Sequence, residues 1–197
     1  MASLTASRND SLLTQWIEQP MKYDGSQLSP LFSYRNFGLL GSSCIGFCGP
    51  CDVSPSEMVD LEDLRAGSAI RGSQMLHFIV EIFDRELFSA VCLQRLLAEI
   101  IRSTIEDMTG RAAGLWREGD DLYRGEDRKL SISIATSSTV SQLIHFAVNI
   151  SNEGTPVATC SLEDFGIPAE ALGRTVLAKL ALEYESLVQA TRKVRPV

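Results

Sequence analysis

Apolar positions along this chain recur with two different periods, and the switches between them mark out its elements. Residues 74–84, "QMLHFIVEIFD", form a continuous apolar run that reads as a half or fully buried strand. From Glu86 to Met108 the period becomes helical, with Leu87, Val91, Leu97, Ile100, Ile101, Ile105 and Met108 on one stripe and Gly110 as the stop. "KLSISIAT" alternates, placing Leu130, Ile132 and Ile134 on one face and Ser131 and Ser133 on the other. A polar turn leads into a further strand over 142–151, "QLIHFAVNIS". Pro168 suits a first helical turn, and Leu172, Val176, Leu180, Tyr184 and Leu187 follow as a buried stripe. Gly, Ser and Pro break up the short apolar runs between residues 21 and 53, which predicts strands and turns. "MVDLEDLRAG" reads as an acidic loop or a turn of helix. Residues 1–20 read as an N-terminal extension in which Ser11 caps a short helix bearing Leu12, Leu13, Trp16 and Ile17.

The order strands, helix, strands, helix predicts an α+β domain over 21–197 with a largely antiparallel mixed sheet packed with helices. The strands "QMLHFIVEI" and "QLIHFAVNI" agree at Gln, His, Phe, Val and Ile, as two strands of one sheet in similar surroundings would.

Composition narrows the function classes. A length of 197 residues fits one domain. The net charge of −7 argues against a nucleic-acid partner, while leaving room for a nucleotide held by one or two local cations. The five cysteines, the lack of an apolar leader and the lack of a membrane-length apolar stretch together predict a cytoplasmic protein with reduced thiols.

Several groups could carry chemistry. Cys44, Cys48 and Cys51 in "CIGFCGPC" have the C-x3-C-x2-C spacing of a [4Fe–4S] site, with buried free thiols beside a Gly-Pro turn as the plainer reading. His77 reads as a core histidine with a satisfied hydrogen bond. "DLED", Asp60 to Asp63, reads as an exposed acidic loop, with cation binding as its alternative. In "GDDLYRGEDRKLSISIAT" a charged loop passes into a strand at Lys129, the last charge before the apolar alternation.

That stretch resembles the biotin and lipoyl protein ligases. Trp116, Asp120-Asp121, Leu122-Tyr123 and Asp127-Arg128-Lys129 follow the order of the bacterial biotin ligases, and Val148-Asn149-Ile150 matches the end of their next strand. The pattern is also similar to that of the octanoyl transferases, which share the fold. Lys129, His145, Ala147, Asn149 and Cys160 appear in the same order with similar gaps. Arg65, Gly67, Arg71 and Gly72 echo their upstream Arg-x-Gly-Gly loop. With "YDGSQL", "GPCDV" and "DDLY", the whole chain resembles the prokaryotic family known as domain of unknown function 366, grouped with these ligases and the class II aminoacyl-tRNA synthetases by fold.

The resemblance implies a site for a small carboxylic acid, its adenylate or its thioester, with an acyl carrier protein as a further partner. Acyl transfer would use Cys160 as nucleophile and a partly desolvated Lys129, its pKa lowered by burial, as base or cation. Asn149, His145 or amides near Gly67 and Gly72 would stabilise the oxyanion. If adenylation is retained, ATP with Mg²⁺ is the implied cofactor, Lys129 would meet the carboxylate and α-phosphate, and Asp121 would hold Mg²⁺ or the adenylate. The Gly-Arg-Gly-Arg loop of biotin ligases is absent from this chain. A binding module of the same fold without catalysis is the second reading, and an iron–sulfur protein the third.

Overall fold

The structure is a computed structural model, and it describes residues 11–110 and 113–195. A five-stranded sheet is ordered β1 (Leu13–Trp16), β2 (Ser43–Val53), β3 (Ile70–Ile82), β8 (Gln142–Asn149) and β7 (Ser131–Ser137). All its pairings are antiparallel except β1 with β2. A separate three-stranded sheet contains β4 (Leu115–Glu118), β5 (Asp121–Arg124) and β6 (Arg128–Lys129). Four α-helices, α1 (Phe32–Phe37), α2 (Leu61–Ala66), α3 (Leu87–Thr109) and α4 (Ala169–Arg192), and a 3-10 turn at Glu163–Phe165 complete the described chain.

The long helices cover one face of the large sheet. Leu97, Ile101 and Ile105 of α3 and Leu172, Val176 and Leu180 of α4 pack against Leu76, Phe78, Val80, Phe146 and Val148. Gly110 closes α3 in the left-handed conformation that its lack of a Cβ permits. Three positions of the expected helical stripes are exposed instead: Leu87, Met108 and Leu187. The first two lie in the end turns of α3, and Val188 takes the core position one residue past Leu187.

The opposite face carries a smaller apolar cluster, with Tyr23, Ile45, Phe47, Met75, Ile79 and Ala147. No long helix covers it, so the segments 21–39 and 53–70 define the surface there.

The segment read as a short N-terminal helix is instead β1, paired in parallel with Ser43–Gly46 of β2. Four residues of ambiguous apolar pattern carry little propensity of their own, and the exposed edge of β2 decides their conformation. Residues 1–10 of the expected extension lie outside the described residues. Trp16 lies between two glycines: a Cβ on Gly173 of α4 would sit 2.3 Å from its ring and one on Gly46 would sit 3.2 Å away. Gly173→Ala should therefore destabilise the protein by about 1–2 kcal/mol, overpacking exceeding the gain in helix propensity of about 1 kcal/mol. A urea titration followed by tryptophan fluorescence checks this; a variant as stable as the parent would mean that β1 is not docked here.

The paired pattern in β3 and β8 has a direct cause. The strands are neighbours with Phe78 opposite Phe146, which brings His77 and His145 onto the same open face. The alternation in "KLSISIAT" holds only from Ser131 onward. Leu130 turns into the helix-side core, while Ile132 packs with the opposite cluster.

Candidate functional site

The small sheet places the charged stretch against the open face. Tight turns at Gly119 and Gly125, both left-handed, fold residues 115–129 back on themselves. Lys129 is then fixed through its backbone. Its N–H donates to the Ala158 carbonyl, its carbonyl accepts from Cys160 N–H, and Asn149 Nδ2 bonds the carbonyls of both Lys129 and Cys160. Asn149 is thus a buried staple of three chain segments, where the sequence suggested an oxyanion donor.

The Lys129 ammonium turns inward and meets Asp121 Oδ2 at 2.7 Å, with the two side chains 28 % and 25 % exposed. Tyr123 Oη donates a longer bond to the same oxygen. Burial pushes the Asp121 carboxyl above its ordinary pKa, with Lys129 offsetting only part of that effect. Burial also works against the Lys129 ammonium. The hydrogen bond and charge of Asp121, with Tyr123 and Asp63 behind them, nevertheless raise its pKa above the ordinary value. Lys129 is therefore a held cation, contrary to the expectation that burial brings it toward neutrality as a base.

Two cavities meet at Lys129. One, of about 260 Å³, runs over the open face between Ile132, Ile134 and His145 on its floor and Glu57, Asp60 and Asp63 on its wall. The other, of about 170 Å³, lies beyond Lys129 between Arg71, Met75, Asn149 and Thr159. An apolar hollow of about 300 Å³ between α3 and α4 carries no carboxylate and a single charged residue, Arg85.

The floor of the larger cavity has a defined protonation pattern. His77 Nε2 lies 3.1 Å from the Gly49 carbonyl, which can only accept, so that nitrogen carries the proton. Burial lowers the His77 pKa to about 4, leaving the ring neutral and its Nδ1 free to accept. His145 Nε2, at 3.0 Å, must then be the donor. Burial and the neighbouring His77 keep His145 neutral as well, so its Nδ1 is an acceptor. Tyr23 stacks on His145 with ring centroids 3.6 Å apart. Gly49 is what permits this, because a Cβ there would lie 2.1 Å from the Met21 carbonyl oxygen.

Other expected site residues lie elsewhere. Cys160 is fully buried in the helix-side core, where its thiol donates to the Arg128 carbonyl. Burial, then the charge of Asp164, pushes that thiol up to about 11. Lys129 and Cys160 are neighbours through the backbone, but their side chains diverge. The Gly67 amide is taken up in closing α2, and Gly72 pairs with Cys51 inside the sheet, so neither forms an anion-binding loop. Arg71 pairs with Asp52 at the surface, and Arg65 is exposed on α2. The cysteine triad does not converge. Cys44 and Cys48 stand four residues apart along β2, roughly 13 Å at the rise of a strand, and Cys51 belongs to the opposite face. That arrangement overturns the iron–sulfur reading. Among the described residues, no three carboxylate, thiol and imidazole groups gather around a point that could hold a metal ion.

Sequence reasoning missed Tyr23, Glu57 and Asp120 as wall residues. Asp120 is held by Gln94 Nε2 and Ser133 Oγ. The one available signal was "YDG", which marked the family without a role for Tyr23.

Comparison with known proteins agrees with this architecture. A solved protein of unknown function from Pyrococcus horikoshi is 40 % identical, with a TM-score of 0.88 over 95 % of this chain and 100 % of that one. An uncharacterized protein of Methanocaldococcus jannaschii is 32 % identical over 189 residues, which is 92 % of this chain and 84 % of the relative. The biotin protein ligase of Aquifex aeolicus, solved with biotin and ATP, matches at a TM-score of 0.57 and 12 % identity, covering 88 % of this chain and 70 % of that one. That last likeness shows a shared ligase-like fold. No described helix is long and apolar enough to cross a membrane. With its family model matching residues 12–195, the chain belongs to the family described as domain of unknown function DUF366.

Proposed function

We propose that this protein binds a small carboxylic acid in the cleft of the open face, with the acid's carboxylate on Lys129. The observation that carries the reading is the half-buried Lys129–Asp121 pair at the junction of two cavities. An ammonium has three donors. Asp121 takes one, and the others are available to a ligand carboxylate. The Aquifex ligase crystallised with biotin, itself a carboxylic acid, makes the same fold a reasonable host for this class of ligand.

Binding without acyl transfer is the better supported form of the proposal. A thiol nucleophile must be reachable and partly ionised, and burial works against both at Cys160. An acyl carrier protein would have no thioester to receive under this reading.

ATP with Mg²⁺ fits the cleft poorly. A triphosphate needs an excess of donors and cations, whereas Glu57, Asp60, Glu62, Asp63, Asp120 and Asp121 line the cavity with Lys129 as its lone base.

Isothermal titration with straight-chain alkanoates from butyrate to octanoate tests the proposal. Lys129→Ala should weaken binding at least tenfold, about 1.4 kcal/mol, while circular dichroism stays unchanged. Cys160→Ala should bind within twofold of the parent, and intact-mass spectra should show no acyl adduct. Alkanoate binding that is indifferent to Lys129→Ala would refute the reading.

A further inference from the structure

We propose that the ligand of this cleft carries a cationic amine as well as its carboxylate, so that the site selects a zwitterionic amino acid over a simple acid. This rests on the Lys129 reading above and adds the opposite end of the ligand.

The charge of the cavity asks for it. Its walls carry six carboxylates and one ammonium, and that ammonium is already paired with Asp121. Asp60 caps α2, accepting from the amides of Glu62 and Asp63, and so presents three acidic residues from one turn. Among the described residues Glu57 forms no salt bridge, and Asp63 acts on Lys129 only from behind Asp121. A purely anionic ligand would enter against this field, while an ammonium at that end would be drawn in.

A second and independent observation concerns hydrogen-bond polarity. The relay from the Gly49 carbonyl through His77 to His145 fixes each proton and leaves His145 Nδ1 as an acceptor. His145 is 3 % exposed, lines the cavity, and has no partner for Nδ1 among the described residues. Tyr23, also 3 % exposed and lining the cavity, has a hydroxyl with no hydrogen bond either. A bare imidazole nitrogen opposite a wall of carboxylates is matched by a group rich in N–H donors, and an ammonium has three. The cavity favours an organic cation over a metal ion, because the carboxylates line a wall and do not converge on a point. The volume of about 260 Å³ equals that of roughly eight or nine waters at ~30 Å³ each, enough for a short amino acid.

The test is isothermal titration with ω-amino acids of four to eight carbons, each against the alkanoate and the alkylamine of the same length. The best amino acid should bind at least tenfold tighter than its alkanoate. The double variant Glu57→Gln, Asp63→Asn should erase that advantage, bringing the amino acid to within twofold of its alkanoate in the same variant. Lys129→Ala should weaken the amino acid and the alkanoate alike. An alkanoate that binds as tightly as its amino acid overturns the amine inference and leaves the carboxylate reading standing. Alkylamines that bind where neither acid does overturn the carboxylate reading and the zwitterion with it. Failure of all three series overturns both.

Discussion

Replacing Gly49 with alanine should lower the unfolding free energy by about 3 kcal/mol and remove ligand binding together with it. The clash is with backbone, since the new Cβ would meet the Met21 carbonyl oxygen at 2.1 Å and its carbon at 2.7 Å. No side-chain rotamer relieves such a contact, so the segment 21–24 must lift from β2. That segment is held by Met21 N–H to the Cys48 carbonyl, Tyr23 N–H to the Pro50 carbonyl and Asp52 N–H to the Tyr23 carbonyl, each near 3.0 Å. Overpacking costs about 1–3 kcal/mol, and each lost hydrogen bond adds about 1 kcal/mol. Moving the segment also slides Tyr23 off His145 and disturbs the Gly49 carbonyl that fixes the His77 proton. Urea denaturation and titration with the tightest alkanoate read the two consequences separately. A Gly49→Ala protein of unaltered stability would show that the segment 21–24 is not seated on β2.

The position of Lys129 at a strand entrance was legible in the sequence because the charge run and the alternating run abut there. The two long helices were legible because their stripes extend over more than four turns, as was the kinship of β3 and β8. What escaped was everything decided by contact between distant segments. Nothing in "LLTQWI" announces a parallel edge strand, since the partner that makes it one lies thirty residues on. Asp60 and Asp63 read as an exposed acidic loop until the fold laid that loop, with Glu57 before it, across the strands bearing Ile132 and His145. The cysteine spacing misled for a related reason. Three thiols at short spacing converge on a loop, but an eleven-residue strand spreads them along its length and over both faces. Cys160 pairs with Lys129 through the backbone, but its side chain lies in the helix-side core, a choice of face that no periodicity announces.

Acidification from pH 6.5 to 4 should destabilise the protein by about 3 kcal/mol or more, through its two histidines. An unfolded histidine takes up its proton near pH 6.5, whereas folded His77 does so only at about 4. Between these values the unfolded state binds more protons, so stability is full above pH 6.5 and falls as pH drops through that window. His145 shifts in the same direction and adds to the slope. Asp121 opposes it, because its pKa is raised and the folded state therefore holds that proton more firmly than the unfolded chain does. The chain contains only these two histidines, so the imidazole NMR signals assign the effect without ambiguity. In the native protein neither should titrate near pH 6.5, and urea midpoints should fall steeply below that pH. An imidazole titrating near 6.5 in the folded state would contradict the buried relay.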